Sequence, residues 1–197
     1  VSKIAKEVRG PVIAALARTH RLDIQRAAKA IEPAERGRIH IFTSASDVHL
    51  EHMLRKTRAE VLAISDEMVR YAKTFTDDVE FSAQDCMRAD PEFVYQLVRA
   101  AIAAGATTVN IPDTTGYGTP QDYGALIRSI FANVPEARGV TISTHCHDDL
   151  GMATANTLAA VESGATQVEV AVNGIGERPG NTSLGEVAMA LYTRRDH

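Results

Sequence analysis

Two histidines at the end of a strand-like segment are the residues of this chain best placed to do chemistry. The segment Thr141–Asp149 reads TISTHCHDD, and its β-branched residues are typical of a strand. Because side chains alternate along a strand, His145 and His147 share one face and Cys146 points away from it. Two imidazoles on one face can hold a metal ion, and the same pair could instead hydrogen-bond to loop carboxylates.

Composition limits the classes of protein to consider. The chain has 197 residues, of which 45% are hydrophobic, and a net charge of −4, which is enough length for one domain with a sizeable core. The mild acidity gives no reason to expect a nucleic-acid or membrane partner, and no apolar run approaches the ~18 residues of a spanning helix. No signal-peptide pattern is visible at the start. Cys86 and Cys146 form no C-x-x-C motif, which predicts reduced thiols and a cytoplasmic location.

Strand-like and helix-like segments alternate along the chain, which predicts a parallel sheet with helices outside it. Helices are expected from near Asp23, from the capping box Thr57–Glu60, from Asp90-Pro91, from Thr119-Pro120, over Ala153–Glu162 and from Leu184. The predicted strands are Val12–Leu16, Arg38–Phe42, Val79–Ser82, Thr108–Ile111, Val140–Thr144 and Gln167–Val172.

An internal repeat supports this alternation. Ala100–Ile111 and Ala159–Val170 both read as a helix end, a glycine and a buried strand, and they lie about two βα units apart. A doubly wound sheet and a (β/α)₈ barrel both fit, although no G-x-G-x-x-G follows a strand, which disfavours a dinucleotide-binding sheet. In a barrel, the polar residues that follow the strands share one face, where active sites lie. Six strands are predicted, and a closed barrel of this kind needs eight.

Two further stretches extend the histidine motif into a family pattern. Thr144–Asn156 reads THCHDDLGMATAN, and Val172–Asn181 reads VNGIGERPGN. Together they closely resemble the 2-isopropylmalate synthase family, which belongs to a superfamily of metal-dependent TIM barrels with homocitrate synthases, citramalate synthases and some lyases. Strand-end motifs of the family are also similar to Ser46–Glu51, Val79–Ser82 and Asn110–Tyr117.

The resemblance implies an α/β fold, a (β/α)₈ TIM barrel of which residues 1–197 form an incomplete catalytic portion, about strands three to eight. The first two strands and the C-terminal regulatory region are then expected to be absent. In the family, the first strand carries an Arg-Asp pair whose aspartate is a metal ligand, and no residue here corresponds to it. Little or no activity is therefore expected of the 197 residues alone.

The resemblance also implies a reaction. An acyltransferase of this family condenses acetyl-CoA with 2-oxoisovalerate to give 2-isopropylmalate, the first committed step of leucine biosynthesis, with Mn²⁺, Mg²⁺ or Zn²⁺ as a Lewis acid. A homodimer is expected for the complete enzyme. The alternatives are a homocitrate or citramalate synthase, which applies the same chemistry to another 2-keto acid, and an inactive barrel fragment.

Site residues follow from the resemblance position by position. His145, His147 and Asn181 match the family's metal ligands. Five residues match positions that line the keto-acid pocket, although turn chemistry at strand ends is the alternative reading for such residues. They are Leu16, His40, Ser82, Pro112 and Thr114.

The roles of three further residues are left open. Gln84 stands where these synthases usually have a glutamate, so the catalytic base is not assigned. Asp148, like its neighbour Asp149, could orient the histidines or cap the next helix. Glu177 and Arg178 are expected to form a structural ion pair in preference to a catalytic one.

Overall fold

Six parallel strands form one sheet in the computed structural model, which describes residues 1–194. Each strand pairs with the next one along the chain, so the strand order follows the sequence, as it does in a barrel. The strands are β1 Ile13–Arg18, β2 Gly37–Ser44, β3 Val79–Gln84, β4 Thr108–Asp113, β5 Thr141–Cys146 and β6 Gln167–Glu169.

Helices connect the strands and cover one face of the sheet. They are α1 Ser2–Glu7, α2 Arg21–Ile31, α3 Asp47–His49, α4 Arg58–Lys73, α5 Pro91–Ala104, α6 Pro120–Asn133, α7 Ala153–Glu162 and α8 Leu184–Thr193. The hydrophobic core lies between these helices and the strands, where Ile41, Phe81 and Ile111 pack with Leu97 and Ile127. The result is part of a TIM barrel, as the sequence predicts.

The local signals in the sequence explain where the helices begin and end. Thr57 and Glu60 form the reciprocal capping box of α4, and Asp90 caps α5 through the backbone N–H of Glu92. Gly105 ends α5 with a φ of 106°, a left-handed conformation that favours glycine. Ala153–Glu162 is helical with the predicted bounds.

Two segments differ from the prediction. β6 ends at Glu169, and the residues predicted to continue it to Val172 turn instead into the short 3₁₀ segment Val172–Gly174. After β2, α3 continues into a wide π-type turn, Leu50–Leu54, which ends at Arg55 with a left-handed φ of 53°. No local signal in the sequence marked this turn.

The inner face of the sheet carries both polar and apolar side chains, in contrast to the largely apolar face under the helices. Ile39, Ile41, Val79 and Phe81 point toward the helices and are fully buried. The alternate positions on the same strands therefore face the barrel interior. Within residues 1–194, no helix is long and apolar enough to cross a membrane.

Candidate active site

A cleft of about 400 Å³ opens on the inner face, toward the carboxyl ends of the strands. It brings together residues from all six strands and from the loops that follow them. Its lining comprises Ala14, Leu16, His40, Phe42, Ser82, Gln84, Asn110, Pro112, Thr114, His145, His147, Glu169 and Glu177. All five residues predicted to contact a keto acid and both histidines of the H-x-H motif therefore lie in one cleft.

Strand register explains this convergence. Leu16 on β1 pairs with His40 on β2, and Pro112 on β4 pairs with His145 on β5. Residues in register on parallel strands lie side by side, so each pair presents its side chains on the same face. Cys146 is fully buried on the opposite face, as the alternation predicts.

Asn181 reaches the histidines through backbone pairing. It forms an antiparallel bridge with His147, which places the two side chains next to each other. The loop before it needs its glycines, because Gly174 and Gly180 have φ values of 66° and 126°. A Cβ on Gly176 would lie 2.6 Å from Cγ of Asn181, so the glycine leaves space for the amide.

Two buried polar atoms beside His145 have no partner among the described residues. They are Nδ1 of His147 and Oδ1 of Asn181. His145 uses Nδ1 for a 2.7 Å contact with Oε2 of Glu169, which leaves its Nε2 available. A buried polar atom without a partner is costly, and a bound ion can satisfy it. Two imidazole nitrogens and an amide oxygen are suitable donors for a divalent cation, so the residues fit the metal that the resemblance implies.

Two histidines of the cleft, His40 and His147, have surroundings that favour the neutral ring. Burial lowers the pKa of His147 below its ordinary value, and a nearby charge on His145 would lower it further. Burial also lowers the pKa of His40, more than Glu169 raises it. A neutral imidazole is the form that binds metals and accepts hydrogen bonds.

A hydrogen-bonded chain runs from β4 to β2 along the cleft wall. Nδ2 of Asn110 donates to Oγ of Ser82 at 3.0 Å, and Oγ of Ser82 lies 2.6 Å from Nε2 of His40. Oδ1 of Asn110 is buried and has no partner among residues 1–194. This chain of hydrogen bonds holds the His40 ring in place and leaves Oδ1 of Asn110 as an acceptor in the cleft wall.

Deeper in the barrel, His40, Glu80 and Glu169 form a second cluster. Their nitrogen and oxygen atoms lie within 4.8 Å of one another, so the cluster could also hold a metal ion. However, Arg38 already donates to Oε2 of Glu80 at 3.0 Å, and Gln167 donates to Oε1 at 3.1 Å. An ion there would lie beside the guanidinium and would compete with it for the carboxyl group.

The two carboxyl groups of this cluster have different protonation preferences. Burial, followed by a hydrogen bond to Glu169, raises the pKa of Glu80 to about 8. The pKa of Glu169 is lowered, because hydrogen bonds from His145 and Glu80 outweigh the opposing effect of burial. Glu80 is therefore the protonated member near neutral pH, and Glu169 is the ionised one.

The residues with open roles have defined contacts. Gln84 lines the cleft and accepts a 2.8 Å hydrogen bond from Ser44. Asp148 caps the next helix, since its Oδ1 accepts a 2.9 Å hydrogen bond from the backbone N–H of Ala153. Glu177 lies 3.7 Å from Arg178, the ion pair that the sequence predicts.

Arg178 makes its stronger contacts elsewhere. Its Nε lies 2.7 Å from Oδ1 of Asp149, and its Nη2 donates to the carbonyl of Thr114 at 2.6 Å. The guanidinium thus joins the loops after β4 and β5. Asp149 serves this link, and its carboxyl group interacts with His147 only through space, as a weak electrostatic effect.

Sequence reasoning missed several polar residues of the inner face. Arg38, Glu80, Asn110, Gln167 and Glu169 were not predicted as site residues, yet they hold the predicted ones. Arg38 and Glu80 lie two residues before the predicted His40 and Ser82, with an apolar residue between, and Gln167 lies two residues before Glu169 in the same way. Charged residues with period two in a parallel sheet, whose strands are usually apolar throughout, are the signal that could have identified them.

Comparison with known proteins agrees with this geometry. The HMGL-like family profile matches residues 1–197. The chain belongs to the HMGL-like family. Among HMGL-like relatives, 2-isopropylmalate synthase of Gloeobacter violaceus is 62% identical over 198 residues, which cover 99% of this chain and 37% of that protein. The corresponding enzyme of Trichormus variabilis is 57% identical over 200 residues, covering 100% of this chain and 38% of that protein.

The chain thus spans well under half the length of these relatives. Solved structures show the same HMGL-like fold. Hydroxymethylglutaryl-CoA lyase from Pseudomonas aeruginosa matches with a TM-score of 0.82 at 22% identity, over 100% of this chain and 68% of that one. An HMG-CoA lyase from A. baumannii, in complex with coenzyme A and 3-methylmalate, matches with a TM-score of 0.78 at 20% identity, over 98% and 65%.

Proposed function

We propose that the chain is the metal-binding part of a 2-isopropylmalate synthase, with His145, His147 and Asn181 as the metal ligands contributed by this chain. The observation that carries the proposal is the pair of buried, unpartnered donors, Nδ1 of His147 and Oδ1 of Asn181, beside the available Nε2 of His145. Relatives at 57–62% identity bear that enzyme name. The strands would correspond to strands three to eight of the complete barrel.

The metal would supply Lewis-acid polarisation of a keto carbonyl. The chain's own residues would hold and orient the keto acid. His40 is fixed by Ser82 and presents a neutral ring to the cleft, and Thr114 lies at the cleft wall. Fixing the substrate in one orientation is a large contribution to the rate of a two-substrate reaction.

The cleft favours an apolar branched keto acid. Ala14, Leu16, Phe42 and Pro112 provide apolar surface that an isopropyl group can contact. The described lining contains no lysine or arginine, and it contains Glu169 and Glu177. A second carboxylate, as in the 2-oxoglutarate of a homocitrate synthase, would find no cation there. Pyruvate, the substrate of a citramalate synthase, would leave the apolar surface uncovered.

The second substrate is proposed to be acetyl-CoA. The HMG-CoA lyase structure in complex with coenzyme A and 3-methylmalate shows that this fold can hold a CoA compound with a small acid. Gln84 has no carboxylate, so it cannot take the methyl proton of the acetyl group. The complete enzyme is proposed to act as a homodimer on these small molecules.

The test uses the complete protein that contains this chain. Thiol release from acetyl-CoA would be measured with 2-oxoisovalerate, pyruvate and 2-oxoglutarate, after removal of metal and again after addition of Mn²⁺, Mg²⁺ or Zn²⁺. The proposal expects metal-dependent turnover with the largest kcat/KM for 2-oxoisovalerate. Turnover that is unaffected by metal removal would refute the ligand assignment, and a preference for another keto acid would refute the substrate.

A further inference from the structure

Glu169 stands directly against one of the proposed metal ligands. It is in register with His145 on the neighbouring strand, and its Oε2 lies 2.7 Å from Nδ1 of the ring. A carboxylate oxygen can only accept, so Nδ1 must carry the hydrogen. A neutral imidazole has a single N–H, and Nε2 of His145 is therefore left with its lone pair toward the cleft.

Glu169 is itself held in place by polar side chains deeper in the barrel. Oγ of Ser143 lies 3.4 Å from its Oε1, and Glu80 forms a hydrogen bond with it. Glu80 in turn accepts from Arg38 and Gln167, at 3.0 and 3.1 Å. The carboxylate against His145 is thus the end of a hydrogen-bonded network that spans β2, β3, β5 and β6.

We propose that Glu169 is a positioning residue that fixes the tautomer and ring orientation of His145 for metal binding, with the Glu80–Arg38–Gln167 network as its anchor. This inference rests on the proposed function, because it concerns the same metal site. Carboxylates that accept from a metal-bound histidine typically contribute ~10–100-fold to metal affinity. Within residues 1–194, Nδ1 of His147 has no carboxylate partner, so of the two rings the described structure orients only that of His145 in this way.

The geometry also separates this role from that of a metal ligand. If the ion bound in the deeper cluster of His40, Glu80 and Glu169, both carboxyl groups would be ligands, and removing either charge would weaken binding equally. A positioning role requires only the Glu169 charge. The side chain at position 80 could be a carboxamide, which can donate to Glu169 as the protonated carboxyl group does.

The experiment compares Glu169→Gln with Glu80→Gln in the complete protein that contains this chain. Histidine labelled with ¹⁵N reports the tautomer of His145 by long-range ¹H–¹⁵N NMR without any metal. Calorimetric titration with Mn²⁺ and Zn²⁺ reports affinity. We expect wild type and Glu80→Gln to have the hydrogen on Nδ1, whereas Glu169→Gln gives a mixture of tautomers. Metal affinity should fall ~10–100-fold in Glu169→Gln and much less in Glu80→Gln.

Each outcome decides between the possibilities. A wild-type His145 with its hydrogen on Nε2, or an unchanged affinity in Glu169→Gln, overturns the positioning role. Equal losses in the two variants also overturn it, and they favour the deeper cluster as the ion's location. If the tautomers behave as expected but the wild type binds no metal, the proposed metal site fails while the positioning of His145 stands. The NMR spectra and thermal melting show whether each variant is folded.

Discussion

Replacing Asn181 with alanine should stabilise the metal-free chain while weakening its binding of metal. The amide of Asn181 has a buried Oδ1 without a partner, and its side chain forms no hydrogen bond within residues 1–194. In the absence of metal, that oxygen is shielded from bulk water and has no hydrogen-bond partner within residues 1–194. A group that stabilises the fold would behave in the opposite way, so the sign of the change is the test.

The size of the effect can be worked from the contacts. A buried, unsatisfied polar group costs about 1–3 kcal/mol, and the truncation to alanine removes little apolar surface, so a gain of about 1 kcal/mol is expected. Asn156 is the matched control. Its Oδ1 is also unpartnered, but its Nδ2 donates to Asp113 at 3.2 Å and to the carbonyl of Gly118 at 2.9 Å. Losing those two bonds should cost about 2 kcal/mol, and it leaves Asp113 and the Gly118 carbonyl short of a donor, so Asn156→Ala should be destabilised even after the gain of about 1 kcal/mol from removing Oδ1.

Thermal melting measures both variants in chelator and with added Mn²⁺ or Zn²⁺. For a chain of this size, about 1 kcal/mol corresponds to a Tm shift of about 2–4 °C. In chelator, Asn181→Ala should melt above the wild type and Asn156→Ala below it. A metal at about 100 times its Kd should stabilise the wild type by about 2.7 kcal/mol, and that gain should shrink for Asn181→Ala. The reasoning is refuted if Asn181→Ala in chelator loses as much stability as Asn156→Ala.

Three further predictions concern the same face of the sheet. His145→Ala should lower metal affinity by more than the ~10–100-fold typical of removing a residue that contacts a metal ligand. Cys146→Ala, on the opposite face, should bind metal in a titration as the wild type does. The reverse pattern would mean that the ligands are assigned wrongly. Gly176→Ala should displace the amide of Asn181, since the new Cβ would lie 2.6 Å from Cγ of Asn181. Metal affinity should therefore fall, while a melt followed by circular dichroism should change little. Unchanged metal affinity would contradict this prediction. Burial raises the pKa of Glu80 from its ordinary 4.5 to about 8, so between these values the folded chain holds a proton that the unfolded chain has lost. Stability should therefore decline as pH rises from about 4.5 to about 8. Glu80→Gln should flatten that decline in denaturant titrations, and an equally steep decline in the variant would exclude Glu80 as its cause.

The order of strands and helices was predictable because its signals are local. The capping box at Thr57 and the Asp90-Pro91 start each satisfy free backbone groups within a few residues, so the sequence alone shows them. The end of β6 was not predictable, since it depends on pairing. Only Gln167–Glu169 pairs with β5, and β6 has no strand on its other side in residues 1–194.

The site was predictable only in part, for a related reason. Alternation along one strand was enough to place His145 and His147 together, and their ring centroids are 5.1 Å apart. The same rule cannot show which residue of another strand lies opposite, because that requires the register. Glu169 meets His145 across the β5–β6 register, and Asp148 caps α7 by a loop conformation that the motif alone left open.

The inner face of the sheet therefore has two layers with different physical demands. Near the carboxyl ends, His147 and Asn181 have polar atoms without partners in the described residues, a cost that a bound ligand can offset. Beneath them, Arg38, the protonated Glu80 and the ionised Glu169 are linked by hydrogen bonds, as buried polar groups must be. The hydrogen-bonded network of Arg38, Glu80 and Glu169 lies below these unpartnered atoms and keeps their side chains in place in the absence of the ligand. If the proposed metal site is correct, side chains deep in the barrel should affect metal affinity without touching the metal.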